Sequence, residues 1–265
     1  MNNLDYLKNQ VTILLNLYNA KRHNDVVQKG KLLIKKFPNQ IIFYNATSLS
    51  LSALDNHKEA LKLLKEALNL QPNNIHVLNN LGLINERLKN NLIAKDYYEK
   101  ALSINGNFID ALVNLGNLEL SEKNLDNSKK HYEKALQISN TKQADEIINM
   151  ALGNYNQQIG DFKKAMNNFK AINKLNPNNT GADKSISLIH KYKDTDDSHL
   201  KLMEEKLNFN LDNEGKQKLY FALSKAYEDV RNYKKSFLFT KKANKIADSF
   251  FNYNLKDDEN LFHQI

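Results

Sequence analysis

The chain has no cysteine and no tryptophan, only three prolines and eight glycines among 265 residues, and no long apolar run. Without cysteine there can be no disulfide, no thiol nucleophile and no thiolate metal site. The scarcity of proline and glycine removes the turn signals that punctuate β-rich folds, and no alternating strand-like run is present. No segment approaches the roughly 18–20 apolar residues needed to span a bilayer. The most apolar stretch near the start, Val11 to Tyr18, is interrupted by Asn16. Asp5 and Asn9 precede it rather than a basic leader, and no small-residue cleavage site follows, so a cytoplasmic protein is expected.

Sequence signatures of catalysis are equally scarce. The seven histidines (23, 57, 76, 131, 190, 199 and 263) share no metal-ligand spacing such as His-x3-His. Neither a Gly-x4-Gly-Lys phosphate loop nor a Gly-x-Ser-x-Gly elbow occurs. Asp194, Asp196 and Asp197 flank Thr195, but the glycine and distal glutamate of a calcium-binding EF-hand loop are missing. A loop leading into a helix, with Asp197 or Ser198 as N-cap, is the expectation there. No catalytic residue, cofactor or metal is therefore assigned.

What the sequence has in quantity is repetition. Pro38, Pro72, Gly106 and Asn140 stand 34 residues apart, each closing a similar segment. Copies occupy 7–40, 41–74, 75–108, 109–142 and, after a three-residue slip, 146–179; a further copy lies at 217–250. A small residue marks the first half (Ser48, Gly82, Gly116, Gly153, Ser224) and another opens the second (Ala60, Ala94, Ser128, Ala165, Ser236). Ala67, Ala101, Ala135 and Ala243 follow, with Ile172 the exception. Tyr98, Tyr132 and Phe169 stand three residues before that last mark.

Leu78, Leu81, Leu112 and Leu115 recur at three-residue steps, placing them on one helical face. After a short break, as at Lys89-Asn90-Asn91, a second apolar periodicity resumes. Two helices joined so tightly must run antiparallel and close together. Small side chains let the axes approach, and the aromatic fills the space beside the contact. A period of this length means one hairpin stacked on copies of itself, an all-α solenoid with no single central core.

These marks resemble the tetratricopeptide repeat. The usual first-helix tryptophan is replaced by Tyr44, Leu78, Leu112 and Asn149, and Leu-Gly pairs survive at 81–82, 115–116 and 152–153. The copy at 7–40 is decayed, as a terminal capping repeat is expected to be. The resemblance implies a right-handed superhelix of helical hairpins acting as a non-catalytic protein-interaction scaffold. First helices would line a concave groove binding an extended peptide, and lysine-rich second helices would form the outer wall. By repeat phase the groove carries Asn45, Asn79, Asn80, Asn114, Asn117 and Asn154. A carboxamide offers donor and acceptor together and so can hold a peptide backbone in any sequence context. This is similar to the asparagine ladder of certain glycosyltransferase repeat domains. With 41 asparagines in the chain, some fall in the groove by composition alone. The basic clamp that some relatives use for a C-terminal carboxylate is not reproduced, because its lysine–asparagine pairing is replaced by Val113 with Asn117 or Asn79 with Leu83.

The formal charge of +8 raises nucleic acid as a partner. Lys62, Lys65, Lys95, Lys130, Lys163 and Lys164 alternate with Glu66, Asp96, Glu99 and Glu133, however, which suits a solvated helix face. The expected partner is a protein or peptide; membrane, nucleic acid and small molecules are disfavoured.

Residues 180–212 break the period and are expected to form an irregular helix pair, Ser185 to Tyr192 and Leu200 to Leu207. Followed by the copy at 217–250, whose stretch Phe221 to Asp229 carries the likeness, that order resembles bacterial proteins in which such repeats precede a sulfotransferase domain. The alternative function is thus a substrate-presenting region whose catalytic domain lies outside this chain. Residues 251–265, with Phe251, Tyr253, Leu255, Leu261 and Phe262 after Phe250, are expected to be a cap or a linker.

Overall fold

A computed structural model describes residues 3–248, so the expectation for 251–265 lies outside the described residues. Fourteen α-helices and one short 3-10 turn follow one another, with no strand among the described residues. They fall into two compact units, one ending at Ser139 and the other beginning at Asn140.

The first unit holds α1 (Asn3–Asn19), α2 (His23–Lys36), α3 (Ile41–Ala53), α4 (His57–Leu70), α5 (Ile75–Arg87), α6 (Asn91–Ile104), α7 (Ile109–Ser121) and α8 (Leu125–Ile138). Each helix packs on its successor, and the odd-numbered ones also touch each other in series, α1 on α3, α3 on α5, α5 on α7. The second unit holds α9 (Lys142–Gln158), α10 (Phe162–Leu175), α11 (Thr180–Ile189), α12 (Ser198–Glu205), α13 (Asn213–Asp229) and α14 (Tyr233–Asp248). Stacked hairpins of this kind make an all-α repeat solenoid. Its core is a string of local clusters, such as Tyr44, Leu64 and Leu81 or Phe169, Ile172 and Ile186, each shared by neighbouring helices.

At three hairpins the wedge has the form anticipated from the small residues. A β-carbon on Gly82 would lie 2.4 Å from the Tyr98 ring, on Gly116 2.5 Å from Tyr132, and on Gly153 2.2 Å from Phe169. All three rings are fully buried. Where serine replaces glycine at Ser224, a hydroxyl contact takes its place: Ser224 Oγ meets Thr240 Oγ1 at 2.6 Å. Hairpin turns pass through the left-handed region at Lys21, Asp55, Lys89, Lys123 and Arg231, with Gly160 (φ +82°) in the corresponding turn of α9 and α10.

Helix ends follow local chemistry. α4 and α10 stop at Leu70 and Leu175, two residues before Pro72 and Pro177. An extra N-terminal turn of α9, capped by the Thr141 hydroxyl accepting from the Ala144 amide, absorbs the three-residue slip. The irregular pair differs from expectation in its limits. α11 starts at Thr180 because Asn179 accepts from the Ala182 amide, and it ends at Ile189 rather than Tyr192. α12 starts at Ser198, where Asp197 caps it by accepting from the amides of His199 and Leu200.

Candidate functional site

In the first unit, α3, α5 and α7 present one face from which two adjoining clefts open. The smaller, about 470 Å³, is lined by residues including Ile42, Asn45, Leu49, His76, Asn79 and Asn80. The larger, about 770 Å³, includes Tyr18, Leu49, Leu83, Glu86, Arg87 and Lys89. Leu49 belongs to both, so they form one trough across the first helices of successive hairpins.

The structure brings four of the six predicted asparagines into hydrogen-bonded pairs. Asn80 Nδ2 donates to Asn45 Oδ1 at 3.2 Å, and Asn114 Nδ2 donates to Asn79 Oδ1 at 2.9 Å. Each pair joins one first helix to the next, one repeat on. Asn79 and Asn80 are largely buried; Asn45 and Asn114 are half-buried. The pairing commits the Oδ1 atoms of Asn45 and Asn79 and the Nδ2 groups of Asn80 and Asn114, leaving Nδ2 of the first two as donors and Oδ1 of the last two as acceptors. Asn117 is exposed and accepts from the Tyr132 hydroxyl at 2.7 Å, so it also steadies the hairpin aromatic. Burial, ahead of the nearby Glu86 charge and against the Ser128 hydroxyl, pushes the Tyr132 phenol up to about 12. Asn154 is exposed on α9 in the second unit.

The outer lysines lie where the charge alternation put them. Lys62, Lys65, Lys130, Lys163 and Lys164 are exposed, and Lys164 pairs with Asp161 at 2.9 Å. Lys95 bridges to the buried Glu119 of the next hairpin at 2.7 Å.

A buried polar cluster in the second unit was not visible in the sequence. Asp183 on α11 and Lys206, just after α12, are both fully buried and pair at 2.7 Å. Asn173 donates to Asp183 Oδ1 at 2.8 Å, His199 Nε2 lies 3.2 Å from the same oxygen, and Tyr192 Oη lies 2.7 Å from His199 Nδ1. Burial works to raise the Asp183 carboxyl, but the His199 hydrogen bond and the Lys206 charge outweigh it and hold it below its ordinary value. Asp183, His199 and Lys206 spread over 24 positions of charged sequence, and nothing in their spacing announces that they converge. The acidic loop ahead of α12 is a capping structure, with Asp197 on the helix N-terminus and 2.7 Å from His190 Nε2. Among the described residues, no group of three or more His, Asp or Glu is placed to hold a metal ion. None of the described helices is long and apolar enough to cross a membrane.

Comparison with known proteins bears on these hairpins directly. The tetratricopeptide-repeat family pattern matches residues 43–74, 75–108, 109–142 and 148–179. The chain contains four tetratricopeptide repeats. A tetratricopeptide repeat protein from Parabacteroides merdae ATCC 43184 is similar in structure, at 15% identity and a TM-score of 0.60 over 96% of both chains. So is a thermophilic tetratricopeptide protein from Thermus thermophilus, at 15% identity and a TM-score of 0.62, covering 69% of this chain and 97% of that one. A human IFIT1 dimer with m7Gppp-AAAA gives 16% identity and a TM-score of 0.68, covering 86% of this chain and 55% of that one. At such identities the likeness is one of fold. No curated protein is a significant match, and the sulfotransferase resemblance finds no support in these comparisons. Tetratricopeptide repeats generally mediate protein–protein interaction.

Proposed function

We propose that this chain is a non-catalytic interaction scaffold that holds an extended peptide or protein segment in the trough across α1, α3, α5 and α7. The observation that carries the reading is the pair of adjoining clefts meeting at Leu49, with Asn45, Asn79 and Asn80 lining the smaller one. An extended guest brings backbone carbonyls that need donors, and the cleft-side amides of Asn45 and Asn79 supply them at one-repeat intervals. The copy at 7–40 and the described part of the copy at 217–250 belong to this reading as further hairpins of the same kind.

The test is selection of a random-peptide display library on the full chain, followed by rebinding of the enriched peptides to two variants. Leu49→Glu, in the trough, should abolish their binding, whereas Lys62→Glu, on the outer face, should leave it intact. Enriched peptides that bind both variants equally would refute the reading.

Nucleic acid remains the weaker alternative, because outer lysines such as Lys95 and Lys164 are already paired with carboxylates. The sulfotransferase-arm alternative rests on the order of residues 180–255 alone, and nothing in the trough favours it.

A further inference from the structure

We infer that the trough accepts a polyproline-type segment carrying an aliphatic side chain at every third residue, an inference that rests on the peptide-groove reading above. Leu15, Leu49 and Leu83 hold one repeat position on α1, α3 and α5, 34 residues apart, and all three are half-buried. Leu49 and Leu83 line the larger cleft. Asn117 takes the next place and is engaged by Tyr132, so the apolar row is three residues long.

Spacing selects the conformation of the guest. Adjacent packed helices lie about 8–10 Å apart. One turn of polyproline II advances about 9 Å over three residues and returns every third side chain to the same side. A β-strand repeats a face after two residues, about 6.7 Å, or after four, about 13 Å. Neither strand interval matches a row with one leucine per repeat.

Hydrogen bonding and charge accommodate such a guest. Asn45 and Asn79 have their oxygens committed to Asn80 and Asn114, so each pair leaves one Nδ2, of Asn45 or Asn79, to donate to a guest carbonyl, and one Oδ1, of Asn80 or Asn114, to accept. A polyproline II backbone makes no internal hydrogen bonds, so its carbonyls are free to accept. Proline has no N–H that would be left unsatisfied. In the larger cleft Glu86 accepts from the Tyr98 hydroxyl and Asp55 lies 3.7 Å from His57. Arg87 and Lys89 are exposed there, and no ion pair ties either to a carboxylate among the described residues. Arg87 stands one helical turn beyond Leu83. Glu86 and Asp55 balance the two cations over the cleft as a whole, so a guest carboxylate is placed locally, beside Arg87 and next to the side chain seated on Leu83.

The test is fluorescence anisotropy of the full chain with labelled Leu-Pro-Pro-Leu-Pro-Pro-Leu-Glu. Two comparison peptides are needed: one of the same composition with leucine at every second residue, and one ending in Gln. The period-three peptide should bind about tenfold tighter than the period-two peptide. Leu49→Ser and Leu83→Ser should each erase most of that advantage, Leu49→Met should keep it, and Arg87→Gln should remove the preference for Glu over Gln. Melting curves of each variant separate lost binding from lost folding. Equal binding of both spacings, or full binding by Leu49→Ser, would overturn the inference. Library peptides that need Leu49 yet show no three-residue period would overturn this inference while leaving the groove reading intact.

Discussion

Replacing Lys206 by methionine should be among the most damaging single changes in the second unit, although in sequence it is one lysine among many. Its Nζ lies 2.7 Å from Asp183 Oδ2 and 3.2 Å from Asn173 Oδ1, and neither Lys206 nor Asp183 is exposed. Lys206→Met keeps most of the side-chain volume but leaves the Asp183 carboxylate buried with only Asn173 and His199 as partners. Removing one member of such a pair costs about 3–5 kcal/mol. With a urea m-value of ~2 kcal/mol per molar, the midpoint of the second unit should fall by about 2 M. Because burial itself disfavours the charges, the double variant Asp183→Leu/Lys206→Met should recover much of that loss. The pH dependence follows from the depressed Asp183 carboxyl. A carboxylate held below its unfolded value contributes stability that is present above about pH 4 and is lost as pH falls through the folded value. The parent chain should therefore lose stability on acidification below about pH 4, and the double variant should lose less. Urea unfolding followed by circular dichroism at several pH values reads all three. A Lys206→Met chain within about 1 kcal/mol of the parent would refute the reasoning.

Three further changes test the hairpin packing. Gly82→Ala drives a methyl into the buried Tyr98 ring, and overpacking of about 1–3 kcal/mol should outweigh the ~1 kcal/mol gain in helix propensity, seen as a lower melting temperature. Ala101→Leu, at a fully buried contact, should cost about 1–3 kcal/mol in the same assay. Lys123→Gly should stabilise by about 0.5–1 kcal/mol, since Lys123 sits at φ 64° where glycine is at ease; a lower melting temperature would contradict that.

The hairpins were legible in the sequence because packing chemistry repeats: every Leu-Gly pair implied a partner ring, and Tyr98, Tyr132 and Phe169 supply it. The trough asparagines were legible as positions but not as pairs. Phase alone puts Asn80 and Asn114 on the first helices, and only the stacking shows that each reaches back to the preceding helix. The leucine row was hidden for a different reason, since Leu15, Leu49 and Leu83 resemble any core leucine until their partial exposure is known. Least legible was the cluster around Asp183. In sequence, 180–212 reads only as an irregular, charged helix pair, whereas Asp183, His199 and Lys206 turn inward and satisfy one another.

Site-specific photo-crosslinking addresses the trough most directly. A photoreactive residue at position 49 or, as the outer-face control, at position 92 of the full chain is irradiated with the labelled Leu-Pro-Pro peptide. Position 49 should capture the peptide and position 92, on the exposed Leu92 of α6, should not. Capture at 92 equal to or greater than that at 49 would contradict the trough as the binding surface.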